Sequence, residues 1–101
     1  MPRQITAQAA RAFLDGDNFK SSNTEVIYNE IDETSYLYLF GNLIAKLDHY
    51  NNELTITNAG WRSNTTKERL NALPKVSITQ KNRVWYLNGK EWDGKPTTIE
   101  L

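Results

Sequence analysis

Asn58-Ala59-Gly60-Trp61-Arg62-Ser63-Asn64-Thr65-Thr66-Lys67-Glu68-Arg69-Leu70-Asn71-Ala72-Leu73-Pro74 is the stretch where a strand pattern gives way to a helix in mid-chain. Thr65 and Glu68 stand at the spacing of a capping box. Thr65 would be the N-cap and accept from the backbone N–H of Glu68, while the Glu68 side chain returns to the N–H of Thr65. Leu70 and Leu73 share one helical face. Pro74 stops the helix, because it lacks an N–H and pushes the preceding residue out of helical geometry. The pattern predicts a helix over 65–73, too short to persist without tertiary packing.

This stretch also concentrates aromatic, cationic and hydroxyl side chains. Trp61 after Gly60 admits two readings: a plug for the core at a strand-to-helix corner, or an exposed platform for a base or a partner side chain. Arg62, Thr66 and Lys67 flank the helix start, where free N–H groups suit an anion such as phosphate. Against that site, the capping box would already satisfy the same end and leave Arg62 merely solvated.

Toward the N-terminus, residues 6–15 read as a first helix. Thr6 would be its N-cap and Ile5 a staple; Ala9, Ala10, Phe13 and Leu14 form the apolar stripe, and Gly16 is the stop. Phe19 returns to the core and Lys20 to Asn23 is a polar link. From Thr24 the period falls to two. Strands are predicted over 24–31, 36–40, 43–49 and 54–58, with turns at Asp32 to Ser35, Gly41-Asn42 and Tyr50 to Glu53. A competing reading joins 36–47 into one strand bulged at Gly41. Tyr36, Tyr38 and Phe40 fall on one face, either to pack beneath the first helix or to stack single-stranded nucleic acid.

Toward the C-terminus, 75–80 and 83–87 read as strands around a Lys81-Asn82 turn. Asn88-Gly89 is the strongest hairpin signal in the chain, leading into a short strand at 90–92. Asp93-Gly94 turns again, and 97–101 either adds an edge strand or frays. The expected fold is therefore α+β in a single domain over 1–101: an N-terminal helix, an antiparallel meander, a short central helix and a second small antiparallel meander.

The 101 residues include no cysteine and a single histidine, which excludes a disulfide framework, a thiolate metal site and a cysteine nucleophile. No apolar run approaches a membrane span and no signal-peptide pattern opens the chain, so a soluble cytoplasmic protein is expected. Formal net charge is zero but uneven. Residues 1–60 hold four cationic side chains against eight carboxylates, a net −4, and residues 61–101 hold eight against four, a net +4. That asymmetry suits a basic face toward a nucleic acid or an acidic protein. Glu30, Asp32 and Glu33 cluster at a turn, where solvation explains them better than acid–base chemistry or cation binding. His49 beside Asp48 has no serine elbow to serve, and no phosphate-binding glycine loop is present. The expectation is a protein without catalytic residues, cofactor or metal.

One set of residues points to origin: Ala12-Phe13-Leu14 with Gly16, Phe19-Lys20, Asn23-Thr24, Leu39 to Asn42 with Ile44-Ala45, Tyr86 to Gly89 and Trp92 to Gly94. Strongest is Gly60-Trp61, Ser63, Thr65-Thr66, Glu68 to Asn71 and Leu73. In these the chain resembles, over nearly its full length, a family of small bacteriophage and prophage proteins with no assigned chemistry. The resemblance implies a compact accessory protein of the host bacterial cytoplasm that acts by binding a host or phage protein or nucleoprotein, inhibitors of host defence such as anti-CRISPR proteins included. Its expected surface is Trp61, Arg62, Thr66, Lys67 and Arg69, the composition of an interface hot spot. The alternative is direct nucleic-acid binding through Arg62, Lys67, Arg69, Lys81 and Arg83. A virion or self-assembling component is the third reading.

Overall fold

The computed structural model describes residues 4–101, and among them the element order matches the α+β expectation. Helix α1 (Gln4–Asp15) is followed by β1 (Phe19–Ser21), β2 (Thr24–Asn29), β3 (Thr34–Leu39), β4 (Asn42–Asp48) and β5 (Glu53–Ile56). Helix α2 (Asn64–Asn71) then leads to β6 (Ile78–Lys81), β7 (Val84–Leu87), β8 (Lys90–Glu91) and β9 (Thr97–Glu100). The strands form two antiparallel sheets, ordered β1-β2-β3-β4-β5-β9 and β6-β7-β8.

Strand alternation decides which face is covered. Val26, Leu37, Leu39, Ala45, Leu47, Leu54 and Ile56 are buried and meet Ala9, Phe13 and Leu70 from the helices in one core. The opposite face carries Tyr36 and Tyr38, half-exposed, with Ile27 paired to Tyr36 and Lys46 on its other side. The tyrosine row therefore does not pack under α1. The aliphatic face is the continuous apolar one, and the phenols keep contact with water. Between Leu37 and Tyr38 the β3–β4 register shifts: Leu37 faces Ala45 and Tyr38 faces Leu43. Ile44 is the extra residue and turns inward, so Ile44 and Ala45 are both buried.

This bulge does not make residues 36–47 one strand. They form a hairpin whose two turn residues are Phe40 and Gly41, at φ 51° and 77°. Positive φ at both positions defines a type I′ turn. The sequence expectation of Gly41-Asn42 was one residue late and left Phe40 in a strand. Residues 82 and 83 form a similar turn, with Asn82 at φ 52° and Arg83 at φ 66°. Asn88-Gly89 turns as expected.

Three further expectations are corrected. Residues 19–21 are a strand, not a polar link, because they pair with 24–26 across a turn at Ser22. Thr6 and Ile5 lie inside α1, so neither caps nor staples it. Leu14 is 38% exposed, which leaves the fully buried Phe13 as the principal anchor of that helix. The C-terminal segment is an edge strand, β9, that returns to pair with β5 in the first sheet.

That return is locked beneath the start of the central stretch. Buried Asn58 donates its backbone N–H to the Gly94 carbonyl at 3.1 Å, and the same carbonyl accepts from the Thr57 hydroxyl at 2.6 Å. Asn58 Oδ1 accepts from the N–H of Gly60 at 2.8 Å. A Cβ on Gly94, which has φ 87°, would lie 2.0 Å from Asn58 Nδ2. Gly94→Ala is expected to destabilise the fold by about 2–4 kcal/mol, from the left-handed backbone and the collision together. Chemical denaturation checks this; a shift below about 0.5 kcal/mol contradicts the lock.

Candidate functional site

Helix α2 begins differently from the predicted capping box. Ser63, in extended backbone, is the N-cap, and its Oγ accepts from the N–H of Thr66 at 3.1 Å. Thr65 lies inside the helix, and Glu68 is occupied elsewhere. Its Oε1 accepts from the Thr6 hydroxyl at 2.7 Å and from Arg69 Nη1 at 2.5 Å. Arg69 also donates from Nε to Thr24 Oγ1 at 3.0 Å and from Nη1 to Thr6 Oγ1. Arg69 is 2% exposed. It joins α1, β2 and α2 in the interior and is withdrawn from the candidate binding surface. Thr66 is withdrawn too, because it is fully buried with its hydroxyl on Ser63.

The other candidates are all at least partly exposed. Trp61 is 58% exposed, which decides against the core-plug reading. The Arg62 guanidinium donates to the Arg83 carbonyl in the β6–β7 turn. It also lies 5.8 Å from the ring of Trp85, and Lys67 Nζ lies 5.7 Å from the same ring. Lys67 donates to Gln80 Oε1 at 2.6 Å. Trp85 is buried, stacked near Trp92 at 6.3 Å, and its indole Nε1 has no hydrogen-bond partner among the described residues. Two cations thus cover an aromatic ring, an arrangement stabilised by the ring quadrupole. Lys81 and Arg83 are exposed at the same turn, with Lys81 on the opposite face of the ribbon from Gln80. None of Arg62, Lys67, Lys81 and Arg83 forms an ion pair among the described residues. The structure therefore gathers four cations without ion pairs among the described residues around the start of α2 and the β6–β7 turn, with the exposed Trp61 next to Arg62 in the chain.

Sequence reasoning put Phe40 in a strand face with Tyr36 and Tyr38, and not beside Trp61. It is 66% exposed at the tip of the β3–β4 hairpin and borders, with Trp61, a groove of about 180 Å³. The signal was Phe-Gly at a position where a type I′ turn ordinarily takes Asn-Gly.

The rest of the surface offers less. A wider polar hollow of about 410 Å³ on the open sheet face includes Asp32, Tyr36, Lys46, Asp48 and Glu53. Its carboxylates serve local turns: Asp32 accepts from Thr34 N–H at 3.1 Å and from the Tyr36 hydroxyl at 2.9 Å. That bond, followed by burial and the Asp32 charge, holds the Tyr36 phenol above its ordinary pKa. Asp48 binds the side chain and backbone N–H of Asn51, which holds its carboxyl below the ordinary range. Ser35 Oγ lies 2.7 Å from His49 Nε2, a pairing across β3 and β4 that the sequence did not show. Ser35 is fully buried, so this contact ties strands and offers no nucleophile to a substrate. Among the described residues no group of three His, Asp or Glu side chains is placed to hold a metal ion, and no helix is long and apolar enough to cross a membrane.

The fold defines a small α+β protein. A family model described as "Kyanoviridae Gp96 protein" matches residues 2–99, and the chain belongs to that family. No curated protein and no solved structure matches it.

The site geometry separates structural from surface roles. Arg69→Ala is expected to destabilise the protein by about 2–4 kcal/mol, since it strips hydrogen bonds from buried Thr6 and Thr24. Partial hydration of Glu68, whose side chain is 28% exposed, moderates the loss. Trp61→Ala is expected to cost less than about 1 kcal/mol and to retain a cooperative melt. The reverse ranking would place Trp61 in the core.

Proposed function

We propose that this protein is a small phage accessory protein that acts by non-covalent binding of a host or phage protein or nucleoprotein, inhibition of a host defence complex in the manner of anti-CRISPR proteins included. The observation that carries this reading is the exposed Trp61 followed directly by Arg62, whose guanidinium reaches the β6–β7 turn of Lys81 and Arg83 and shares the Trp85 ring with Lys67, these four cations being without ion-pair partners among the described residues. Exposed Trp beside Arg is the composition that dominates binding energy at protein interfaces. Unneutralised cations steer an acidic partner toward the corner and penalise a basic one. The stretch from Gly60 to Asn71 supports the same reading. Ser63 caps, Thr66 and Leu70 are buried, Glu68 and Arg69 tie the helices, and Asn71 bonds both backbone groups of Ile78. Trp61 alone among these is a large apolar side chain left in water.

A second reading, direct nucleic-acid binding by the same cations, rests on the same unpaired cluster and requires affinity to fall steeply with salt. Without Arg69 it has four cations and not five.

The test uses Lys81→Gln/Arg83→Asn. These changes remove two charges without uncovering Trp85, and Asn tolerates the positive φ of residue 83. In affinity capture from infected-host lysate, the wild type is expected to retain a protein partner after nuclease treatment, and the double variant to lose most of it. Capture that disappears with nuclease moves the assignment to nucleic acid. Absence of any capture returns it to a virion or self-assembling component, read from the size of the purified protein.

A further inference from the structure

The uncovered face of the first sheet carries a charge pattern that folding alone does not favour. Leu47, Leu54 and Ile56 turn into the core, so Asp48 of β4 and Glu53 and Thr55 of β5 stand on the reverse face. Thr98 and Glu100 of β9 stand there with them, because Thr98 faces Thr55, their hydroxyls 3.0 Å apart. The register makes Asp48 the cross-strand neighbour of Glu53, and Glu53 the neighbour of Glu100. Three carboxylates in one row across adjacent strands repel one another and weaken the sheet. Asp32 borders the same concave hollow of about 410 Å³, where Lys46 is the one cation among the lining residues. Asp48 and Asp32 are held by their own turns. The carboxylates of Glu53 and Glu100 have no partner among the described residues; Lys75 Nζ donates to the Glu100 carbonyl at 3.2 Å but forms no ion pair with its side chain.

The complementary pattern belongs to elements on the other side of the sheet. Leu70 of α2 and Trp85 of β7 share one core with Leu37 and Ile56, so both elements pack on the covered face. Their cations are Arg62 and Lys67 over Trp85, and Lys81 and Arg83, exposed at the β6–β7 turn. No ion pair joins the two sets within one copy among the described residues. A narrow turn bearing two long cationic side chains matches a concave anionic hollow in shape and in sign. Formal net charge is zero, so two copies approach without net repulsion, and each presents the patch that completes the other's.

We infer that the carboxylate face of the first sheet docks the β6–β7 turn of a second copy of this chain, with Lys81 and Arg83 of one copy meeting Asp48, Glu53 and Glu100 of the next. The two patches lie on opposite sides of the sheet, so the contact is head-to-tail and leaves a free patch at each end of the assembly. This goes beyond the proposed function: a second copy and an acidic partner would compete for the same cations.

Sedimentation velocity on the purified protein tests it, with Lys81→Gln/Arg83→Asn and Glu53→Gln/Glu100→Gln as variants. At about 20 mM salt the wild type is expected to grow past the dimer with concentration, and at about 0.5 M, where the Debye length is about 4 Å, to return to the monomer. Each variant alone is expected to associate at least about tenfold more weakly. An equimolar mixture of the two is expected to give one heterodimer and nothing larger, since each retains the patch the other lacks. Glu53→Gln/Glu100→Gln is expected to melt no lower than wild type, because it relieves the like-charge row, so its loss of assembly is not a loss of fold. A wild type that stays monomeric at low salt overturns the inference. So does association that either variant retains in full, or a mixture that fails to pair. None of these readouts involves a host partner, so a failed lysate capture and a failed self-association are told apart.

Discussion

A guanidinium held in the interior organises this fold. Arg69 is bonded to Thr6 in α1, Thr24 in β2 and Glu68 in its own helix. A buried charge is tolerable only when its donors are matched, and removing one partner leaves the others stranded. This one requirement explains several departures from local expectation. Glu68 serves Arg69 and Thr6 and so does not return to cap the helix. Ser63 takes the N-cap, and α2 starts two residues earlier than a capping box at Thr65 would allow. Thr6, a natural cap residue, lies inside α1 because its hydroxyl is needed as a relay between the two helices.

Helix α2 is anchored at Thr66, Arg69 and Leu70, all buried. The Asn58–Gly94 contact fixes the other side of the same corner, and the Trp61 N–H bonds the Asn58 carbonyl at 2.8 Å. Between the two locks the chain has little choice but to present Trp61 and Arg62 outward. The β6–β7 turn then adds Arg83 and Lys81, and Trp85 fills the space beneath. On the proposed reading the binding corner is a by-product of rigid scaffolding, which favours affinity because little order has to be gained on association.

Much of this fold was legible in the sequence because its signals are local. Period-two runs placed seven of the strands, and Asn88-Gly89 identified its own turn. Other features were illegible because they depend on distant partners. Residues 19–21 become a strand only against 24–26. Nothing local distinguishes Arg69, buried, from Arg62, exposed, since both are arginines among polar neighbours. The tyrosine row looked like a core face until the aliphatic alternative on the reverse side was assembled. At the site, Trp61, Arg62, Lys67, Lys81 and Arg83 were legible as chemistry but not as a cluster. Phe40 was hidden by a one-residue error in the turn, which the strained φ of an aromatic residue made easy to commit.

The central claim is that one indole of three, Trp61, stands in water near Arg62 and the other cations that form no ion pair among the described residues. Quenching of tryptophan fluorescence by iodide and by caesium tests it directly. The account predicts one accessible indole, quenched more strongly by iodide than by caesium and abolished by Trp61→Phe. Quenching that survives Trp61→Phe, or that favours caesium, would contradict it.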